Sequence, residues 1–167
     1  LKPEIPSLVF LFGLSGVGKS YVGRVLADRF GYVAYDLDSD LTPPMREAIA
    51  AHLPFTENMR DDFFDVVARR IKELAAVHPR LVLMQGAYKE RHRVRVCQAH
   101  PAIRFVWIDA PKELLLQRLT ARADAVSADY ASKIMSNFEP PREEASLRLM
   151  NDTSSHDELA RRFEALF

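Results

Sequence analysis

Short unbroken apolar runs alternate along the chain with stretches in which apolar residues return at helical spacing. Leu8-Val9-Phe10-Leu11-Phe12 has no polar side, the pattern of a strand covered on both faces. Val22, Val25, Leu26 and Phe30 then follow helical spacing, and Gly31 closes that segment as a helix-terminal glycine does. Val33 to Leu37, Leu81 to Met84, Ile103 to Ile108 and, more weakly, Leu147 to Met150 predict four further strands. Helices are predicted from Glu57 to Val77, from Lys89 to Ala99, and from Pro111, which suits a first helical turn, to Arg122. Ser155 and Glu158 form a capping-box pair that opens a last helix. Thr42-Pro43-Pro44 reads as an interruption, and the polar segment 123–141 as a connection or lid.

Strands separated by helices require crossover connections and so a parallel sheet between helical layers, an α/β fold. No internal repeat, low-complexity tract or linker divides the sequence, so residues 1–167 are read as one domain carrying a small lid at 123–141. The 23 basic and 23 acidic side chains cancel, which removes a broad basic field for nucleic acid or an anionic membrane. No apolar run approaches the ~20 residues of a membrane span. The single cysteine, Cys97, and the lack of a signal-peptide pattern predict a cytoplasmic protein. The sequence begins at Leu1 rather than Met, as a trimmed chain or a piece of a longer one does. None of the five histidines has metal-ligand spacing.

Four of the six glycines, Gly13, Gly16, Gly18 and Gly23, crowd into one short stretch. Within it, Gly13-Leu14-Ser15-Gly16-Val17-Gly18-Lys19-Ser20 fits G-x-x-x-x-G-K-[ST] at every fixed position, after a strand and before an amphipathic helix. A glycine turn lets successive backbone N–H groups converge on a phosphate, and the helix adds the positive end of its dipole. Lys19 is expected to reach the outer phosphates of ATP, and the Ser20 hydroxyl to coordinate Mg²⁺. Gly13, Ser15, Gly16, Val17, Gly18, Lys19, Ser20 and Tyr21 are the predicted nucleotide contacts on this segment.

Asp36 and Asp38 fall at the carboxyl end of the second strand, where open α/β sheets bind ligands. Two carboxylates there can hold a hydrated Mg²⁺, with Asp36 as a ligand, and orient the proton of an acceptor hydroxyl. The alternative is a solvated Asp-x-Asp-x-Asp turn capping the next helix. Arg118 and Arg122 share a helical face; there they either close over a transferred phosphoryl group or pair with Glu113 or Asp124.

From the phosphate loop onward the sequence resembles the small gluconate kinases, relatives of the shikimate kinases within the nucleoside-monophosphate-kinase-like group. Asp36-Leu37-Asp38 resembles their Asp-x-Asp. Pro54-Phe55-Thr56-Glu57-Asn58-Met59-Arg60 is similar to their Pro-Leu-Thr-Asp-x-Asp-Arg, and Ala87-Tyr88-Lys89-Glu90-Arg91-His92-Arg93 to Ala-Leu-Lys-x-x-Tyr-Arg. Arg118-Leu119-Thr120-Ala121-Arg122 resembles the Arg-Leu-x-x-Arg before the lid, and Glu139-Pro140-Pro141 the Leu-Glu-x-Pro after it. The resemblance implies a five-stranded parallel sheet in the order 2-3-1-4-5. It implies catalytic roles for Lys19, Asp36 and Arg122 and a nucleotide contact for Arg118. Asp38, Arg60, Lys89 and Arg93 are placed by it on a small-molecule acceptor, and it carries the expectation of a homodimer.

The departures fall on the acceptor side. Leu41 and Met45 stand where the family has polar residues after its Asp-x-Asp, and Asp124-Ala125-Val126 replaces a Gly-His-Phe run in the lid. These changes predict kinase chemistry on an acceptor other than plain gluconate. Two rival readings accompany it: a shikimate- or nucleotide-type kinase, with Gln85-Gly86-Ala87 in place of three consecutive glycines speaking against shikimate, and a non-catalytic nucleotide-binding module.

Overall fold

In the computed structural model, which describes residues 4–121, 128–142 and 147–167, each apolar run becomes a strand of one sheet. The strands β1 (Leu8–Phe12), β2 (Val33–Asp36), β3 (Leu81–Met84), β4 (Arg104–Asp109) and β5 (Leu147–Met150) are all parallel and lie in the order β2-β3-β1-β4-β5. β1 is central, with Leu8 opposite Leu81 on one side and Val9 opposite Arg104 on the other.

Successive side chains of a strand point to opposite faces, so the run in β1 feeds two cores. Val9 and Leu11 pack with Val22 and Leu26 of α1 (Lys19–Phe30), Leu115 and Leu119 of α5 (Lys112–Thr120), and Phe163 of α7 (His156–Glu164). Phe10 and Phe12 pack the other way, with Phe63, Val67 and Ile71 of α3 (Glu57–Val77) and Val96 of α4 (Glu90–Ala99). This two-sided burial is why no polar residue interrupts β1. The caps follow the sequence: the Thr56 hydroxyl accepts from Met59 N at 3.2 Å to start α3, and Ser155 does the same for Glu158 N at 3.2 Å to start α7. Ion pairs of Arg91 with Glu57 and Asp61, and of Arg95 with Asp65, tie α4 to α3.

Three elements differ from the sequence expectation. β2 ends at Asp36 rather than Leu37, because the Asp36 carboxylate accepts from Asp38 N at 3.0 Å and caps a 3-10 helix over Leu37–Asp40. Thr42-Pro43-Pro44 opens a helix, α2 (Pro43–Ala50), instead of interrupting one; proline is tolerated in a first turn, whose N–H groups have no helical partner. Met45, read as part of an acceptor pocket, is buried beneath that helix with Leu37 and Leu83, and Leu41 packs against the same cluster. The segment 123–141 contains a helix, α6 (Ala128–Asn137). Residues 122–127 lie outside the described residues, and with them Arg122 and the Asp124-Ala125-Val126 substitution.

Candidate active site

All five strands end on the same side of the sheet, and the predicted residues follow those ends. After β1 the chain turns through residues 13–18 into α1. Gly13 has φ 146°, and a Cβ there would overlap the carbonyl oxygen of Ile108 on the neighbouring strand β4. Gly18, at φ 89°, is the cap residue of α1 and offers no side chain to its first amides, leaving that helix end suited to an anion. Lys19 folds back along the loop, its Nζ donating to the carbonyls of Gly13 and Leu14 at 2.9 Å each. Ser20 and Tyr21 follow in the first turn of α1, and the Tyr21 hydroxyl donates to Ser154 O at 2.8 Å.

The loop is held on two sides. The carbonyl of Val17 accepts from Asn151 Nδ2 at 2.8 Å and from Arg118 Nη1 at 3.2 Å, and Arg118 Nη2 donates to Asn151 O at 3.0 Å. Opposite, Ser15 N donates to the Tyr88 hydroxyl at 3.0 Å. Tyr88 follows Ala87, which at φ 44° adopts a backbone conformation uncommon for a residue with a Cβ. That turn is supported by Gln85 Oε1, which accepts from Ala87 N at 2.5 Å.

At the end of β2 the three aspartates have separate partners. Asp36 caps the 3-10 helix, as the structural alternative for this motif anticipated. Asp40 takes three bonds from Nε and Nη2 of Arg70, at 2.9 to 3.1 Å, and one from the Tyr35 hydroxyl at 2.9 Å, which anchors the turn to α3. Asp38 accepts from Gln85 Nε2 at 3.3 Å across the end of β3. Although the residue reaches solvent, protein crowds its carboxyl, and this desolvation followed by the Asp36 charge raises its pKa against the pull of Gln85 and Lys19.

A raised carboxyl pKa means that the folded protein holds this proton where the unfolded chain has released it. Its contribution therefore favours folding below the unfolded carboxyl pKa and is lost as pH rises through the folded value. Asp38→Asn is accordingly expected to be at least as stable as the parent at neutral pH. The parent's Tm should drop relative to the variant's as pH climbs above about 4. Parallel Tm profiles across the acid range would show that the carboxyl is unperturbed.

On the acceptor side, Arg60 lies in the first turns of α3 over the Phe55 ring, 5.6 Å from its centroid. Lys89 pairs with Glu139 at 3.3 Å. Arg93 is buried, its Nη1 donating to Ala87 O at 2.7 Å and Tyr88 O at 3.1 Å, and its Nη2 to Glu139 O at 2.7 Å. Its guanidinium also covers the Phe12 ring at 5.0 Å. Arg93 thus fastens the turn after β3 to the segment returning from α6. The structure brings the loop, Asp38 and the 85–89 turn together; Arg93 and Arg118 serve as their supports. Asn151 went unread in the sequence, and Tyr88 and Gln85 were noted only as departures, Tyr88 from the leucine of the resembling motif and Gln85 from a run of three glycines, without a role.

The family model described as an AAA domain, a family of P-loop kinases, matches residues 8–141. The chain belongs to this P-loop kinase family. Among its relatives, the adenylyl-sulfate kinase of Chloroflexus aurantiacus is 32% identical over 143 residues, 80% of this chain and 74% of the relative. The chloroplastic shikimate kinase of Solanum lycopersicum is 31% identical over 112 residues, and the match spans 67% of this chain but only 36% of that longer protein. The fold is shared with a gluconokinase from Sinorhizobium meliloti 1021, with a TM-score of 0.81 at 22% identity over 98% of this chain and 92% of that one. The sheet order 2-3-1-4-5 is the one expected. The relatives carry the names of two different kinases and the likeness to a gluconokinase is one of fold, so of the gluconate kinase resemblance only membership of the wider P-loop kinase family is shown.

For a P-loop kinase the implied ligand is ATP with a divalent cation, and the loop suits it: a glycine turn packed so closely that a Cβ on Gly13 or Gly18 would overlap the protein behind it, an α1 start without a side-chain cap, and a lysine at its mouth. Among the described residues no group of three or more His, Cys, Asp or Glu could hold a metal ion, so a cation here would draw on phosphate oxygens beside Ser20 and Asp36. No described helix is long and apolar enough to cross a membrane.

Proposed function

We propose that this chain is an ATP-dependent kinase that moves the γ-phosphoryl group to a hydroxyl of a small metabolite, a sugar acid or related acceptor. The observation that carries the reading is the Gly13–Ser20 loop with Lys19 at its mouth, facing the acidic end of β2 across the turn after β3. Bound ATP with Mg²⁺ supplies the phosphoryl group and part of the charge neutralisation. Loop amides, those of Gly16 and Gly18 first, bind phosphate oxygens, and Lys19 exchanges its carbonyl partners for the outer phosphates. Ser20 and Asp36 stand at the cation. Asp38, with its carboxyl pKa raised, orients the acceptor hydroxyl, while Arg60 and Lys89 take the acceptor's anionic or hydroxyl groups. Arg122, next to the lid, is assigned to the transferring phosphoryl, and the lid to the exclusion of water.

The test is steady-state ADP release with gluconate, shikimate, adenylyl sulfate and a panel of other hydroxylated acids. Acceptor-dependent ADP release, with the highest kcat/KM on something other than gluconate, is the expected result. Gluconate at the head of the panel, with the efficiency of a dedicated enzyme, would overturn the acceptor assignment. ATP binding without transfer to any acceptor would overturn the kinase reading in favour of a nucleotide-binding module.

A further inference from the structure

We propose that Asn151, just past the end of β5, is the residue that aims the Gly18 amide at a phosphate oxygen, a positioning role that rests on the nucleotide reading above. A trans peptide is planar, so each carbonyl and the next residue's N–H point in opposite directions, and no described peptide bond is cis. Asn151 Nδ2 and Arg118 Nη1 both draw the Val17 carbonyl toward β5 and α5. The N–H of Gly18, in the same peptide plane, is thereby turned the other way, away from those elements. Flipping that peptide would break both bonds at once. The approach is close enough that a Cβ on Gly18 would overlap Asn151 Nδ2.

Asn151 is itself fixed. Its N–H donates to Asp109 O at 2.8 Å, its carbonyl accepts from Arg118, and it is only 1% exposed. Yet its Oδ1, fully buried, meets no donor among the described residues. An unmet buried acceptor costs stability, and leucine has nearly the same shape without that cost. Packing therefore does not explain an amide at this position, whereas the bond it gives to Val17 does.

Asn151→Leu separates the two roles. The expected variant keeps or raises the parental Tm, while its affinity for ADP and for inorganic pyrophosphate, read by calorimetry, falls about tenfold, the size of one lost hydrogen bond. A purely structural asparagine would give the reverse, a lower Tm with unchanged affinity, and that result would overturn the proposal. If the variant does not fold, the parent decides: with ¹⁵N-glycine labelling, the Gly18 amide should shift strongly on ADP addition and the Gly31 amide should not. A Gly18 amide that stays in place while ADP binds also overturns the proposal. A parent that binds neither ADP nor pyrophosphate refutes the nucleotide reading itself, and this proposal with it.

Discussion

Lys19→Ala is expected to lower phosphoryl transfer about a thousandfold while leaving the sheet folded. The Lys19 ammonium lies 2.9 Å from two loop carbonyls, at the mouth of the phosphate cradle, where no reorganisation of the backbone is needed for it to meet an incoming anion. A fixed charge at such a place stabilises the negative charge on transferring oxygens, and losing one comparable donor costs roughly 3–4 kcal/mol of barrier. Folding should suffer far less. The two carbonyls that Lys19 holds sit in a partly buried loop outside the two cores, and the change removes only these two hydrogen bonds, so the Tm should change by only a few degrees. Acceptor-dependent ADP release measured beside a melting curve checks both halves. A variant that turns over at the parental rate would remove Gly13–Ser20 as the site of transfer.

Gly13→Ala should do the opposite, harming the fold as well as activity. The methyl group has nowhere to go: it would overlap the Ile108 carbonyl, and the φ of 146° is one that alanine rarely adopts. Overpacking and backbone strain each cost about 1–3 kcal/mol, and here they add on the central strand of the sheet. A loss of roughly 3 kcal/mol or more corresponds to a fall in Tm of about 6–12 °C for a domain of this size. Thermal unfolding measures it directly. An unchanged Tm would mean that the turn between β1 and α1 relaxes easily, against the tight approach of β4.

The contrast between these two variants marks what could be read from the sequence. The loop was legible because its determinants are local: closely spaced glycines, a lysine and a serine at fixed spacing between a strand and a helix. β1 was legible because burial on both faces forbids polar residues throughout it. Asn151 and Tyr88 were not, since they reach the loop from 134 and 73 residues away, and no periodicity reports which distant residue a loop carbonyl will meet. Arg118 was read as a nucleotide contact from the resemblance, and helical spacing gave no sign that its guanidinium also meets the carbonyls of Val17 and Asn151 behind the loop. Pro43 and Pro44 failed for another reason, because proline both ends helices and begins them. Only the burial of Met45 and Ala48 shows that the second holds here.

The central place of β1 also dictates when the cradle can exist. Leu8–Phe12 is made before its neighbours β3 and β4, which begin at Leu81 and Arg104, and before Arg118 and Asn151, which supply the bonds behind Val17. Parallel pairings of such separation close late, after most of the chain is available. A nascent polypeptide therefore carries the glycine-rich loop before its supports are made, and the loop takes its held shape only once Arg118 and Asn151 have joined it.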